Sequence, residues 1–370
     1  YKLVRYKKKA LSLYVLVRIT INNQQQINMK VALLAASLAA SLSCHGQTRN
    51  EILLKKWDFS RDKVNWKQVT VPHDWAIDGP FDKKWDIQYL AIVQDGQERP
   101  IEHTARSGGL PWIGEGNYKT TFNIKKGTKH AQLYFDGAMS EPIVKVNGKE
   151  VGRWMYGYNA FRLNITPYIK DGENSVEVHL NNLEESSRWY PGAGLYRPVK
   201  LITTNESRID EWETYFKTVS ANHQKALLKV DTRIEDSNAL KNLTTKVELL
   251  DAQGKQVATG QQKINQQGAA SFNLEVTNPH LWDIDTPYLY TLKTTLLKGK
   301  KAIDQTTTKV GIRTIDVSKE YGFRLNGKSL KFKGVCLHHD LGALGAALNK
   351  TAVIRQIERM KKMGVNAIRT

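Results

Sequence analysis

The sequence predicts a mainly β chain: a jelly-roll sandwich, then an immunoglobulin-like β-sandwich, then the first β-α-β unit of a parallel α/β domain. Three observations predict this order. Short alternating or apolar runs, separated by turn residues, fill residues 57–205 and 207–315. No helical period interrupts these two stretches. A single helical pattern then lies between two short apolar runs close to residue 370.

The composition indicates a folded chain and excludes several classes of protein. The 370 residues are 41% hydrophobic and 9% aromatic, which is enough apolar surface to offset the entropy of ordering. Two cysteines, Cys44 and Cys336, are too few for a disulfide scaffold or a cysteine-based zinc site. The formal charge of +19 suggests a nucleic-acid partner at first sight. The first 30 residues, however, are basic without any acidic residue, and no basic helix or motif follows, so we expect no nucleic-acid partner.

The N-terminal 46 residues are expected to lie outside the fold. Residues 1–28 show no sustained period and are interpreted as upstream read-through, with translation starting at Met29. Residues 29–46 read as a signal peptide, because a short basic region precedes an apolar run and small residues. The apolar run, 31–43, is shorter than the roughly 20 residues that span a bilayer. The sequence therefore predicts export, either as an outer-membrane lipoprotein anchored at Cys44 or as a soluble periplasmic protein.

Residues 47–206 are predicted to form the jelly roll. Alternating or compact apolar strands recur through this stretch, at Tyr118–Ile124, Ala131–Phe135 and Ser175–Leu180. The segment Val144–Val151 is predicted to be a hairpin, since its central Asn147-Gly148 pair fits a type I′ turn. Many short strands without a helical period are typical of a two-sheet sandwich.

Residues 207–315 are predicted to form the immunoglobulin-like sandwich. Alternation recurs at Ala226–Ile234, Thr245–Leu250, Ala270–Val276 and Tyr288–Leu297. A stretch of this length holding about seven short strands is typical of that fold.

Residues 316–370 are predicted to leave the all-β pattern and to form a β-α-β unit. After a second Asn-Gly hairpin at 323–332, the run Gly334–His338 is typical of a strand buried on both faces. A helix follows, with Thr351 as the expected N-cap and Gly364 as its closing residue. Val365–Arg369 is then a second buried strand. A lone β-α-β unit cannot close a barrel, so we expect the chain to be truncated.

Polar residues end both predicted parallel strands. His338-His339-Asp340 suggests a metal cluster, but neighbouring side chains on a strand point to opposite faces, so both histidines reach one ion only if the strand has ended. A polar functional site and a structural turn are the other readings. The carboxyl ends of parallel strands are where α/β barrels place their chemistry, which favours a functional site. Arg369 ends the next strand and, if buried, should pair with a carboxylate.

A loop of the jelly roll suits a carbohydrate ligand. Arg188, Trp189 and Tyr190 combine a charge with two aromatic rings, on which the apolar faces of sugars stack. Core packing of the two rings is the competing interpretation. The loops Val71–Trp75 and Gly109–Gly114 are interpreted as structural. The carboxylates Glu115, Glu141, Glu184 and Glu185 show no spacing that marks a catalytic pair.

Seven short motifs recur in an order that identifies a family resemblance. They are Val71–Trp75, Gly116–Tyr118, Val146–Gly148, Gly192–Arg197, Val310–Arg313, Gly334–His338 and Asn366–Thr370. With the order of parts, they resemble the N-terminal part of glycoside hydrolase family 2, which includes β-galactosidases, β-glucuronidases and β-mannosidases. The run His338–Gly345 is similar to exported Bacteroidetes β-galactosidases, whereas a β-glucuronidase usually has a Lys-His-Glu-Asp type sequence here.

The resemblance implies a jelly-roll sugar-binding domain and a TIM (β/α)8 barrel that is truncated after its first β-α-β unit. It implies a retaining mechanism on a terminal β-galactoside, with both catalytic Glu residues after Thr370, so the chain alone should be inactive. Other family 2 activities, chiefly β-glucuronidase, and a non-catalytic carbohydrate-binding module are the alternatives.

The resemblance also implies roles for single residues. His338 would line the site that binds the terminal sugar, and Arg369 would keep the nucleophilic carboxylate ionised. Asp340, two residues after His338, is a further candidate substrate-binding residue. Arg188, Trp189 and Tyr190 match the loop that reaches toward the barrel mouth. Some lactose-cleaving members have an Asp near the position of Arg188, so the resemblance does not by itself imply their metal-ion site or their contact with the sugar O6 here. No cofactor is required by the residues present.

Overall fold

The computed structural model describes residues 49–82, 84, 90–94, 97–101, 112, 114–182, 192–235 and 242–370. The strands in these residues are β1 Asn50–Leu53, β2 Lys56–Ser60, β3 Lys67–Thr70, β4 Leu90–Gln94, β5 Gln97–Ile101, β6 Gly114–Ile124, β7 His130–Phe135, β8 Ile143–Val146, β9 Lys149–Arg153, β10 Phe161–Asn164, β11 Gly172–Asn182, β12 Val199–Thr204, β13 Arg208–Ala221, β14 Lys225–Glu235, β15 Leu243–Leu250, β16 Gln256–Lys263, β17 Ala269–Thr277, β18 Tyr290–Lys298, β19 Lys301–Val310, β20 Ile315–Ser318, β21 Gly322–Leu325, β22 Lys328–Ser329, β23 Gly334–Cys336 and β24 Ala367–Arg369. The α-helix α1 spans Lys350–Lys362, and short 3-10 helices lie at Trp75–Asp78, Thr166–Tyr168 and Gly342–Leu344. No helix among these residues is long and apolar enough to cross a membrane.

The first part is the predicted jelly roll. Two antiparallel sheets, in strand orders β1-β12-β7-β10 and β3-β2-β6-β11-β8-β9, enclose one apolar core. Strand β11 alternates buried and more exposed residues, as a strand with one face on a core must. The core is rich in aromatic rings, among them Trp57, Phe59, Trp75 and Tyr118, which are all nearly inaccessible to solvent. The prediction of a sandwich built from alternating strands is confirmed.

Both Asn-Gly hairpins form as predicted. Asn147 and Gly148 have φ of 51° and 77°, and Asn326 and Gly327 have φ of 50° and 77°. A type I′ turn needs positive φ at both central positions, and Asn followed by Gly adopts it at least cost. These dipeptides therefore fix where the flanking strands turn.

The second part is the predicted immunoglobulin-like sandwich. Its sheets have the orders β13-β14-β17 and β16-β15-β18-β19, all antiparallel. Residues facing inward from both sheets form its core, including Val230, Val247, Phe272 and Leu292. The seven strands agree with the number expected from the sequence.

A partly buried network of charged residues joins the two sandwiches. Arg162 on β10 donates to Asp210 at 2.7 Å, to Glu211 at 2.7 Å and to Glu235 at 3.2 Å. Arg49 donates to Asp304 at 2.7 Å and pairs with Glu211. Burial alone would raise the pKa of Asp210, but the hydrogen bonds that its carboxylate makes, from Arg162 above all, together with the charge of Arg162 outweigh burial and hold that pKa at about 2.

The last part is a β-α-β unit that follows the three-stranded sheet β20-β21-β22. Strands β23 and β24 are parallel, with α1 between them in sequence. The helix begins two residues earlier than predicted, because Asn349 is the N-cap and its Oδ1 accepts from the Ala352 amide at 3.0 Å. Thr351 lies within the helix. Gly364, with φ of 85°, follows the last turn as predicted.

The expectation that β23 and β24 are buried on both faces is wrong for this structure. Cys336, Ile368 and Arg369 are exposed, and Val335 and Ala367 are half-buried. The reason is that the two strands have only each other as sheet neighbours within the described residues. Strands of a parallel sheet become buried when further strands and helices cover them.

Candidate functional site

A cavity of about 670 Å³ lies where β23 and β24 end. Its walls come from four parts of the chain: the segment after β23, the helix α1, the end of β24 and loops of the jelly roll. They include His338 and His339, Arg369, and the tyrosines Tyr156, Tyr158 and Tyr196. Its volume lies in the range of small-molecule sites, and it combines aromatic walls with a few polar groups, as such sites do.

The pairing of β23 with β24 brings His338 and Arg369 to the same sheet edge, as the parallel strands predict. Cys336 lies opposite Arg369, and the Leu337 amide donates to the Arg369 carbonyl oxygen at 2.8 Å. The next residue, His338, is exposed and lines the cavity together with Arg369. A role of either residue in sugar binding stays a prediction.

The expected carboxylate partner of Arg369 is not present in the part of the chain that the structure describes. That expectation assumed a buried strand, but Arg369 is exposed. Arg369 lines the cavity, and a guanidinium carries five N–H donors that can bind a ligand or a further protein group.

The segment His338-His339-Asp340 does not form a metal cluster. The His339 ring contacts the edges of the Tyr158 and Tyr196 rings, with centroids 5.2 and 6.1 Å away. Among the described residues, no group of three or more His, Cys, Asp or Glu side chains could hold a metal ion. Asp340 accepts from the Gly342 amide at 3.3 Å and so stabilises the following turn. Asp340 thus fits the structural-turn interpretation, whereas His338 faces the cavity.

The jelly roll holds the loop that follows His338 in place. Asp74 is buried; its Oδ1 accepts from the Ala76 amide at 3.0 Å and its Oδ2 from the Ala346 amide at 2.8 Å. Two residues further on, the Leu348 amide donates to the Tyr196 carbonyl oxygen at 2.8 Å. The sequence indicated that Val71–Trp75 is structural but gave no signal for this contact, which joins residues 272 positions apart.

Tyr196 lies at the centre of this interface. Burial raises the pKa of Tyr196 to about 12, so its hydroxyl stays protonated at neutral pH. The hydroxyl donates to the Gly157 carbonyl oxygen at 2.8 Å, while the ring contacts His339. One buried tyrosine therefore links a jelly-roll loop to the segment after β23.

Other predicted site residues are placed as follows. Arg188, Trp189 and Tyr190 lie outside the described residues, as do Glu184 and Glu185. Glu115 is exposed and lies 3.7 Å from His179 on the jelly roll. A larger cavity, of about 940 Å³, lies between the sandwiches beside the Arg162 network. The cavity at the strand ends is the better candidate site, because the arginines Arg162 and Arg208 in the larger one are already paired with carboxylates.

Comparison with known families and proteins gives consistent matches along the chain. Residues 51–205 match the sugar binding domain of glycosyl hydrolases family 2, residues 207–313 match glycosyl hydrolases family 2 itself, and residues 315–370 match the family's TIM barrel domain. A β-galactosidase of Bacteroides ovatus is 38% identical over 314 residues, which is 82% of this chain and 35% of that protein. A β-glucuronidase of Bacteroides fragilis is 30% identical over 357 residues, which is 90% of this chain and 47% of that protein.

Solved structures show the same arrangement. A glycosyl hydrolase family 2 member from Bacteroides cellulosilyticus superposes with a TM-score of 0.76 at 32% identity, covering 87% of this chain and 42% of that one. A β-glycosidase from Bacteroides vulgatus gives 0.75 at 31% identity, covering 87% and 41%. This chain thus spans less than half the length of these relatives. From its jelly roll to its β-α-β unit, the chain belongs to glycosyl hydrolases family 2.

Proposed function

We propose that this chain is the front, substrate-binding part of a retaining glycoside hydrolase that cleaves terminal β-galactosides. The observation that carries the proposal is the position of His338 and Arg369, which end neighbouring parallel strands and line one cavity. The similarity to a β-galactosidase of Bacteroides ovatus supports galactose as the terminal sugar. The run His338–Gly345 supports it as well, because it is similar to exported β-galactosidases.

The proposed reaction needs two carboxyl groups that the family pattern places after Thr370. One Glu protonates the glycosidic oxygen while the other attacks the anomeric carbon, and water then hydrolyses the glycosyl-enzyme. In this scheme the His338 imidazole hydrogen-bonds a sugar hydroxyl. The Arg369 guanidinium lies beside the nucleophile and favours its ionised form. Residues 1–370 alone are therefore proposed to have no turnover.

β-Glucuronidase is the second candidate. The β-glucuronidase of Bacteroides fragilis, 30% identical to this chain, favours it. A glucuronide differs from a galactoside by a carboxylate on the sugar, so a glucuronidase site needs cations placed to bind it. Steady-state assays of the gene product read past codon 370, on nitrophenyl β-galactoside and nitrophenyl β-glucuronide, separate the two. A higher kcat/KM for the glucuronide would overturn the galactosidase proposal.

We also propose that the protein is exported, either as an outer-membrane lipoprotein with lipid attached at Cys44 or as a soluble periplasmic protein. The basic and apolar run at 29–43 supports this. Metabolic labelling with a radioactive or clickable palmitate, followed by cell fractionation, tests it. A label that is lost in Cys44→Ser supports the anchor. An unlabelled protein in the periplasm supports simple cleavage, and a cytoplasmic protein contradicts export.

A further inference from the structure

The loop between β9 and β10 carries exposed aromatic and apolar side chains to the rim of the cavity. Tyr156 is 60% exposed and lines the cavity, and Met155 beside it is 70% exposed. Large apolar side chains at such exposure favour a surface that binds a ligand. The jelly roll thus forms one wall of the cavity that lies at the ends of β23 and β24.

Stacked aromatic rings anchor this loop to the jelly-roll core. The Trp154 ring stacks on Phe161 at 5.5 Å, and Phe161 stacks on Phe135 at 4.7 Å in the jelly-roll core. The Trp154 indole Nε1 also donates to Asn159 Oδ1 at 2.8 Å, which closes the loop on itself. A side chain on a loop fixed in this way loses little conformational entropy when a ligand binds.

The middle of the loop is fixed as well. The Gly157 carbonyl oxygen accepts the Tyr196 hydroxyl, and a Cβ at Gly157 would collide with the Met139 sulfur. The backbone therefore lies against the jelly roll at the residue next to Tyr156. The fixed backbone at Gly157 therefore holds Tyr156 at the exposed rim of the cavity.

A row of rings leads from Tyr156 toward the strand ends. The ring centroids of Tyr156 and Tyr158 are 5.5 Å apart, and those of Tyr158 and His339 are 5.2 Å apart. His339 is the neighbour of His338 in sequence. Tyr156 is thus separated from the proposed terminal-sugar site by two ring-to-ring contacts.

We propose that Tyr156 is a stacking platform for the sugar on the leaving-group side of the scissile bond, so that the site prefers oligosaccharides to simple glycosides. This inference rests on the proposed function for the position of the terminal sugar. The apolar C–H face of the second sugar lies on the Tyr156 ring.

The test uses the 370-residue chain and saturation-transfer NMR titrations with lactose and with methyl β-galactoside. Tyr156→Ala should weaken lactose binding by about two- to tenfold, the range expected for one aromatic contact, and leave methyl β-galactoside binding unchanged. Tyr156→Phe should bind lactose like the unaltered chain, because the ring is kept. Tyr215→Ala is the matched control, since Tyr215 is 59% exposed on the other sandwich.

Three results would overturn the inference: unchanged lactose affinity in Tyr156→Ala, an equal loss for both ligands, or no saturation transfer to the second sugar in the unaltered chain. A parallel pair, methyl β-glucuronide and a β-glucuronyl disaccharide, separates this inference from the proposed galactose specificity. If only the glucuronyl disaccharide shows the Tyr156 effect, the platform stands and the galactosidase proposal fails.

Discussion

At the scale of single residues, Asp74 connects the jelly roll to the segment that carries His338. Both of its carboxylate oxygens accept backbone amides, one from Ala76 and one from Ala346. Asparagine would present an NH2 group to one of these amides, so only a carboxylate satisfies both. Asp74 is therefore a positioning residue for the loop, not a group that contacts substrate.

We predict that Asp74→Asn destabilises the chain by about 1.5–3 kcal/mol, the cost of losing a buried hydrogen bond to a charged group. Urea unfolding measures this loss. Amide hydrogen exchange at Ala346 should become faster as well, because its acceptor is lost. The matched control is Asp78→Asn, on the same 3-10 helix, since Asp78 makes an exposed pair with Lys67. An equal effect of the two substitutions would contradict this role for Asp74.

Two buried histidines should make stability depend on pH. Burial lowers the pKa of His73 to about 4 and that of His130 to about 4, with the charge of Arg208 adding to the effect at His130. The unfolded chain takes up these protons near pH 6.5. The stability contributed by the neutral histidines is therefore complete above that pH and is lost as the pH falls toward 4.

We predict that each histidine lowers the free energy of unfolding by about 2 kcal/mol when the pH falls from 7 to 5. His130→Gln should remove about half of this pH dependence, measured by urea unfolding at both pH values. The control is His223→Gln, because His223 is exposed. If stability is the same at pH 5 and pH 7, the two histidines are not buried in the neutral form.

At the scale of elements, local signals predicted the turns better than the start of the helix. An Asn-Gly pair specifies its own backbone angles, so both hairpins form where the sequence places them. Asn349 and Thr351 are both good N-caps, however, and tertiary contact selects the first. The Leu348 amide bonds to the Tyr196 carbonyl oxygen, which fixes the chain just before Asn349. Sequence alone holds no information about that contact.

The loop between β23 and α1 offers a matched pair of glycines. Gly342 and Gly345 have φ of 62° and 61°. A Cβ at Gly342 would meet open space, whereas one at Gly345 would lie 2.5 Å from Asp74 Oδ2 and collide with Ile77. Gly345 also has ψ of −144°, in a region that residues other than glycine rarely adopt.

We predict that Gly342→Ala costs only about 1–2 kcal/mol of backbone strain. Gly345→Ala should cost about 3 kcal/mol or more, because it adds displacement of Asp74 to the strain. Urea unfolding gives both values. Hydrogen exchange at Ala346 should quicken in Gly345→Ala alone, and similar losses in the two variants would show that the Asp74 contact is not needed.

At the scale of the whole molecule, the sequence predicted the order of the three parts but not how they join. Alternating strands identify each sandwich, because one face of each sheet must be buried. The junction depends on Arg49 and Arg162, whose partners lie between 48 and 255 residues away. In the candidate site, too, one part was predictable from the sequence and another was not. Strand order placed His338 beside Arg369, whereas the jelly-roll contacts around them had no local signal.

We predict that Arg162→Ala destabilises the chain by about 3–5 kcal/mol, since it leaves buried carboxylates on the second sandwich without this partner. The control is Arg153→Ala. Arg153 makes an exposed pair with Glu150, and such pairs contribute at most about 1 kcal/mol. Thermal unfolding of both variants gives the comparison. Equal shifts in Tm would mean that the network does not hold the sandwiches together.

The most direct test of the proposed function is the hydrolysis of nitrophenyl β-galactoside by residues 1–370 and by the product of the gene read through whatever follows codon 370. We predict no turnover by residues 1–370. We predict turnover by the longer product, with a kcat/KM for the β-galactoside above that for the β-glucuronide. Robust turnover by residues 1–370, a stop codon directly after Thr370, or a preference for the glucuronide would contradict the proposal.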